Sequence, residues 1–92
     1  MIVKNLKNTS DNTCKCNSWI DHWERYTKNN AIFCSVQKCV DQAKVGAHVL
    51  KVSSTDKDWY IVPLCYSCNK SDNNLDIGST SLALANVNDT CG

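Results

Sequence analysis

Residues 34–39 read CSVQKC and residues 60–69 read YIVPLCYSCN, and these two stretches decide how the chain folds. Each stretch contains two closely spaced cysteines, and the four are Cys34, Cys39, Cys65 and Cys68. Both pairs fall where turns are expected, so the two sulfurs of a pair can reach one ion at about 2.3 Å. Four thiolates complete a closed tetrahedral site, and we therefore predict that these cysteines bind one structural Zn²⁺ ion.

The alternative for these cysteines is that they are buried free thiols, which pack as small apolar side chains. Lys38 and Lys70 flank the two pairs, and a turn beside a charged residue is a poor place to bury a thiol. The total of seven cysteines is odd, and residues 1–13 contain no apolar run long enough for a signal peptide. We therefore expect a cytoplasmic protein with a metal framework in place of disulfides, an expectation that a cleaved leader would reverse.

Length and charge exclude several classes of protein. The 92 residues fit one domain, 1–92, and no stretch approaches the roughly 18 apolar residues of a membrane span. The chain has 10 Lys and Arg against 9 Asp and Glu, a net charge of +1, so it has no general attraction to nucleic acid. Because a chain this short buries only a thin core, a metal crosslink is expected to supply part of its stability.

Local patterns predict a small α+β domain. Asn17 or Ser18 can cap a helix whose apolar face repeats at i, i+4 and i+7 as Trp19, Trp23 and Tyr26. The β-branched run 45–52 and residues 59–62 predict a hairpin across the polar loop 53–58. We expect Pro63 to end its second strand and residues 75–77 and 82–85 to form short strands. Residues 1–13 are polar enough for a loose arm, although Ile2, Val3 and Leu6 could add a strand.

Residues 46–49, GAHV, followed by a hairpin loop and by YIVPLCYSCN at residues 60–69, resemble the core of the HNH family of nucleases. In that family a ββα-metal unit is often built into a treble-clef zinc knuckle. The resemblance covers about residues 34–70. It implies a zinc-stabilised α+β domain with a treble-clef or HNH-like ββα centre, to which this chain adds an N-terminal aromatic helix.

Carried over residue by residue, the resemblance keeps the scaffold and loses most of the catalytic groups. His48 falls on the general-base position of the family, but Ala47 precedes it where active members often have a metal-binding side chain. Tyr60 stands where the family has an asparagine, and Asn69 replaces a metal-binding histidine. Since an amide is a weak ligand for a hard cation, the Lewis acid of the reaction is missing. We expect a degenerate scaffold, and the alternative is a metal-dependent nuclease with His48 as general base.

A second candidate metal site comes from the ligands that remain: Cys14, Cys16, His22 and Cys91. A Cys-x-Cys turn presents two sulfurs, and His22 lies about one and a half turns into the predicted helix. The alternative is that His22 is an exposed helix residue and that Cys14 and Cys91 are paired or free.

Function is therefore predicted to be binding and not catalysis, with protein or nucleic acid as the partner. Lysines near the cysteine pairs favour nucleic acid, and they are Lys38, Lys44, Lys51, Lys57 and Lys70. Aspartates in the same region nearly cancel them, and they are Asp41, Asp56, Asp58 and Asp72. That cancellation slightly favours a protein partner. Tyr66, inside the second cysteine pair, is the aromatic residue that we most expect to be exposed.

Overall fold

A computed structural model of the chain describes residues 1–6 and 18–85. Its elements in chain order are β1 (Ile2–Asn5), α1 (Trp19–Thr27), β2 (Val45–Lys51), β3 (Tyr60–Leu64), α2 (Tyr66–Asn69), β4 (Leu75–Asp76) and β5 (Ala83–Leu84). Within this part of the chain the strands form one antiparallel sheet in the order β4-β1-β2-β3-β5. The predicted α+β class is confirmed.

The central pair of the sheet is the predicted hairpin, in which Val45 lies opposite Leu64 and Val49 lies opposite Tyr60. The prediction that Pro63 ends the second strand is wrong, because β3 continues to Leu64. The carbonyl of Pro63 accepts a hydrogen bond from Ser35 on the outer side of β3. The nitrogen of Pro63, which carries no hydrogen, faces the same side. Strand β5 pairs with Tyr60 and Ile61 of β3 and does not reach Pro63, so no hydrogen bond of the sheet is lost.

The N-terminal residues are part of the sheet. Strand β1 lies between β2 and β4, with Val3 and Asn5 buried. The backbone N–H of Leu6 donates to the carbonyl of His48 at 2.8 Å. For residues 1–6 the alternative of an added strand is confirmed and the loose arm is wrong, because Val3 and Asn5 are buried in the sheet. The rest of the proposed arm, residues 7–13, lies outside the described residues.

Side chains on the strands alternate between two faces, and each face covers a different core. On one face, which we call the metal face, Ala47, Val49 and Val62 pack with Cys34 and Cys65. On the opposite face, which we call the helix face, α1 places Trp23 against Ile61, Ala83 and Ala85. The sheet therefore separates α1 from the four cysteines.

Helix α1 begins at a Ser18 cap, whose hydroxyl accepts from the N–H of Asp21 at 3.1 Å. Trp23 is buried, and its indole N–H donates to the carbonyl of Ser81 at 2.8 Å. The predicted aromatic face is wrong for Tyr26, which is 38% exposed. His22, one turn earlier, takes the buried position, and Tyr26 stacks on its ring. With nine and four residues, neither described helix has the length and hydropathy to cross a bilayer.

The close approach of α1 to the sheet depends on Gly46. A Cβ atom at this position would lie 2.5 Å from the backbone nitrogen of Ile20 and 2.5 Å from the carbonyl carbon of Trp19. Both are backbone atoms, so a larger residue could be accommodated only if the start of α1 moved off the sheet.

We predict that Gly46→Ala destabilises the metal-loaded protein by about 1–3 kcal/mol, the usual range for overpacking. Chemical denaturation measures the change, with Ser53→Ala in the exposed hairpin loop as the control. Equal stability of the two variants would contradict the packing of α1 against Gly46.

Candidate metal centre

The four cysteines of the two sequence pairs meet on the metal face of the sheet. The sulfurs of Cys34, Cys39, Cys65 and Cys68 all lie within 4.8 Å of one another. The Sγ of Cys39 is 3.8 Å from that of Cys65 and 3.9 Å from that of Cys68. Tetrahedral thiolates at about 2.3 Å from an ion are separated by about 3.8 Å. A disulfide would need about 2.05 Å, and all four are free thiols. The cluster is therefore compact enough to hold a metal ion.

The first cysteine pair lies on a loop, residues 34–39, which we call the knuckle. The N–H of Cys39 donates to the carbonyl of Val36 at 3.1 Å, and Lys38 has a left-handed backbone with φ 67°. The N–H of Cys34 donates to Asp41 at 2.9 Å and closes the base of the loop. The left-handed residue turns the chain back, which is why a gap of four residues still brings the two sulfurs together.

The second cysteine pair is positioned by the start of α2. Cys65 is the N-cap residue of this helix, and its sulfur accepts from the N–H of Cys68 at 3.4 Å. One helical turn then carries the Cys68 side chain to the same side as Cys65. The N–H of Asn69 donates to the Cys65 carbonyl at 3.0 Å and completes the turn.

The environment of the thiols changes how readily they lose protons. Burial raises the pKa of Cys34 and of Cys68. Burial alone would also raise the pKa of Cys65, but the Cys68 N–H and the neighbouring thiols outweigh it and lower the pKa. Cys65 therefore ionises more readily than Cys34 or Cys68. A bound cation would replace the remaining thiol protons and offset the cost of burying the ionised sulfurs.

Asn5 is a supporting residue that sequence reasoning missed. It is buried on β1, and its side-chain amide donates to the Asn69 carbonyl oxygen at 2.6 Å and to the Asn69 Oδ1 at 3.0 Å. These bonds attach the C-terminal end of α2 to the sheet, next to Cys68. The residues lie 64 positions apart, and no local pattern links a polar residue near the N-terminus to the helix that carries Cys68.

The positions carried over from the HNH family are not brought together. His48 lies on the helix face, where its ring centroid is 4.5 Å from that of Trp19 and 5.8 Å from that of Trp59. Asn69 bonds to Asn5, which is paired opposite Val49 on the metal face. Ala47 is buried, and the hydroxyl of Tyr60 donates to Asp56. The sheet therefore lies between the general-base position and the residue that follows the second cysteine pair.

His48 is 5% exposed, and its Nε2 has no hydrogen-bond partner among residues 1–6 and 18–85. The aromatic rings of Trp19 and Trp59 pack against this side chain. Burial lowers the pKa of His48 below its usual value, and the nearby His22 lowers it further.

Only one member of the second predicted ligand set lies in the described part of the chain. His22 is 1% exposed, and its Nε2 is 2.8 Å from the carbonyl oxygen of Leu84. The alternative of an exposed His22 is wrong, because α1 turns this residue towards β5. Cys14, Cys16 and Cys91 lie outside the described residues, so the second site stays a prediction.

Comparison of the chain with protein-family models, with curated proteins and with solved structures finds no match. The resemblance to HNH nucleases therefore has no support from a family or a relative, and the cysteine cluster is the feature that characterises the site.

We predict that Cys68→Ser removes the metal held by the cluster and unfolds the knuckle and α2. The hydroxyl of serine is a poor replacement for a thiolate, and structural zinc contributes on the order of 10 kcal/mol to the folding of small domains. Metal analysis and dispersion of the NMR spectrum measure both effects, with Ser67→Ala on the same turn as the control. Retention of a dispersed spectrum by reduced, chelated protein would contradict a structural metal.

We also predict that neutral His48 makes stability fall as the pH falls. Because its pKa is lower in the folded than in the unfolded protein, the unfolded chain binds more protons below about pH 6.5, the unfolded value. One such group changes the free energy of unfolding by at most about 1.4 kcal/mol per pH unit. The loss of unfolding free energy between about pH 7.5 and 5.5 should be smaller in His48→Phe than in the parent protein. Equal losses in the two proteins would contradict this role of His48.

Proposed function

We propose that this chain is a zinc-stabilised binding domain whose Cys34, Cys39, Cys65 and Cys68 hold one structural Zn²⁺ ion. The observation that carries the proposal is the sulfur geometry, with separations of 3.8 and 3.9 Å at free thiols. Zinc is the metal because four thiolates in a tetrahedral arrangement suit this ion and leave no open coordination position. The order of knuckle, hairpin and short helix supports a treble-clef architecture as part of this proposal.

A binding role fits the surroundings of the site better than a catalytic one. A general base must reach a water molecule or a substrate, and His48 lies under Trp19 and Trp59 with its Nε2 buried. The side-chain oxygen of Asn69 accepts a hydrogen bond from Asn5. The divalent cation that a nuclease would need for hydrolysis would therefore lack both a general base to activate water and an anionic ligand.

The partner that this surface favours is a protein. Large apolar side chains are exposed on and beside the metal site, and they are Ile32, Phe33, Val40 and Tyr66. The exposure of Tyr66 was expected from the sequence. Lys51 is held by Asp56 at 3.2 Å, where the hydroxyl of Tyr60 and the Asp58 N–H also bind and lower the pKa of Asp56 to about 2. Lys51 is therefore less available to phosphate than an unpaired lysine.

The test of this function combines a cleavage assay with a binding assay. Zinc-loaded protein incubated with plasmid, single-stranded DNA or RNA in Mg²⁺ or Mn²⁺ should leave all three intact, and His48→Ala should behave in the same way. Binding to nucleic acid should be weak and should fall steeply with salt. Metal-dependent cleavage that His48→Ala abolishes would overturn the proposal and establish the nuclease alternative.

We further propose a second zinc site formed by Cys14, Cys16, His22 and Cys91. It is supported by His22, whose Nε2 is 2.8 Å from a carbonyl oxygen, because zinc-binding histidines usually donate their other nitrogen in this way.

This site predicts two zinc ions per chain, falling to one in Cys91→Ser while the hairpin stays folded. Native mass spectrometry counts the ions, and Ser81→Ala serves as a control that alters no proposed ligand. One zinc ion in the parent protein would exclude the second site and leave the first unaffected.

A further inference from the structure

A groove runs beside the knuckle on the side of the N-terminal helix. It has a volume of about 450 Å³ and lies between residues 29–35 and residues 79–81, with Trp23 and Pro63 in its lining. Trp23, Pro63 and Cys34 are buried, whereas Ile32 and Phe33 are exposed at its rim. None of the described residues that line the groove is Asp, Glu, Lys, Arg or His. The volume falls in the range of small-ligand sites, roughly 300–1,000 Å³.

One wall of the groove is an open strand edge. Phe33 forms an antiparallel bridge with Gln42, but the hydrogen bonds of that bridge belong to the neighbouring residues. Cys34 donates to Asp41, and Ala43 donates to Ile32. In this pattern the N–H and C=O of Phe33 point away from Gln42.

The outward side of Phe33 is the side on which the groove lies. Two residues along the chain, the N–H of Ser35 donates to the Pro63 carbonyl at 3.0 Å, and both residues line the groove. The N–H and C=O of Phe33 form no hydrogen bond with another described residue. An exposed edge with free backbone groups is a template for another strand.

We propose that this groove binds an extended, uncharged peptide segment of a partner protein, which pairs with the backbone of Phe33. The backbone groups of Phe33 supply the pairing, and the exposed side chains of Ile32 and Phe33 supply apolar contact, as in other cases of strand addition. A charged segment would lose water in a groove that offers no opposite charge. For the same reason the phosphates of a nucleic acid do not fit it.

Peptide binding in this groove rests on the proposed function, because the knuckle forms one of its walls. Cys34 is both a lining residue of the groove and a member of the cysteine cluster. Removal of the metal would therefore change the groove, and binding should require zinc.

The experiment titrates ¹⁵N-labelled, zinc-loaded full chain with a set of blocked octapeptides that alternate Thr with Val, Leu, Phe or Ala. We expect the amide signals of Ile32, Phe33 and Ser81 to shift, with slower hydrogen exchange at Phe33. The same peptides with N-methylated backbone amides should bind at least about tenfold more weakly, because they cannot pair with Phe33. No shift at about 1 mM of any peptide, or no effect of N-methylation, would overturn the proposal.

Two charge variants place the binding site on the surface. Thr80→Arg puts a cation in the groove lining and should weaken binding at least about tenfold. Ser53→Arg adds the same charge at an exposed residue of the hairpin loop that does not line the groove, and it should have no effect. Equal effects of the two variants would place binding elsewhere and overturn the proposal.

Metal content and sedimentation, measured on the same samples, separate the other outcomes. Folded, zinc-loaded protein that binds no peptide would refute the groove proposal and leave the zinc-stabilised domain intact. Zinc-free protein that stays folded would refute the domain proposal. Self-association that protects the Phe33 amide would make a second copy of this chain the occupant, and the proposal of a foreign peptide would be wrong.

Discussion

Cys34 and Cys39 lie beside Cys65 and Cys68 because β2 and β3 return the chain to the knuckle, and the rest of the fold is arranged around this contact. The knuckle has few apolar side chains of its own, and α2 has only four residues. Neither would be stable without a crosslink between them. Without a cation, the thiolates of Cys34 and Cys68 would also face a desolvation cost, since burial raises the pKa of both groups. A metal ion removes both difficulties at once, and the geometry of the hairpin determines where it can bind.

The sheet divides the molecule into two halves with different chemistry. The metal face carries the thiols and the Asn5–Asn69 link, whereas the helix face carries histidine and tryptophan rings under α1. Alternation along β2 makes this division strict, since neighbouring residues such as Ala47 and His48 must point in opposite directions. A catalytic site that needed groups from both halves would have to extend through the sheet. Such a division suits a domain that uses its metal for shape and its outer surface for binding.

Much of the exposed apolar surface lies beside the cysteine cluster. Ile32, Phe33 and Val40 lie on either side of the knuckle, and all three side chains are exposed. In a domain with a larger core these side chains would be expected inside. A crosslinked loop can instead keep them exposed, because its stability comes from the metal and not from their burial. Ile32 and Phe33 also line the groove, and Phe33 lies on its open strand edge.

The sequence by itself determined the elements whose signals are local. The spacing of four cysteines predicted the cluster, the β-branched runs around a polar loop predicted the hairpin, and Ser18 followed by tryptophans at helical spacing predicted α1. These features depend on residues a few positions apart, where periodicity and turn chemistry act directly. Resemblance to a known family also predicted a hairpin between the cysteine pairs, but its catalytic assignment depended on which faces His48 and Asn69 occupy.

Only the tertiary structure decided the contacts between residues distant in sequence. Ile2, Val3 and Leu6 indicated that a strand was possible, but only the packed sheet placed β1 between β2 and β4. Pro63 stayed inside a strand because its nitrogen faces the side that β5 does not reach, and Tyr26 stayed exposed because His22 took the buried position. The contact between Asn5 and Asn69 likewise depends on where β1 joins the sheet. Register and strand order set such contacts, and both depend on how the whole chain packs, whereas local sequence sets only the elements that are packed.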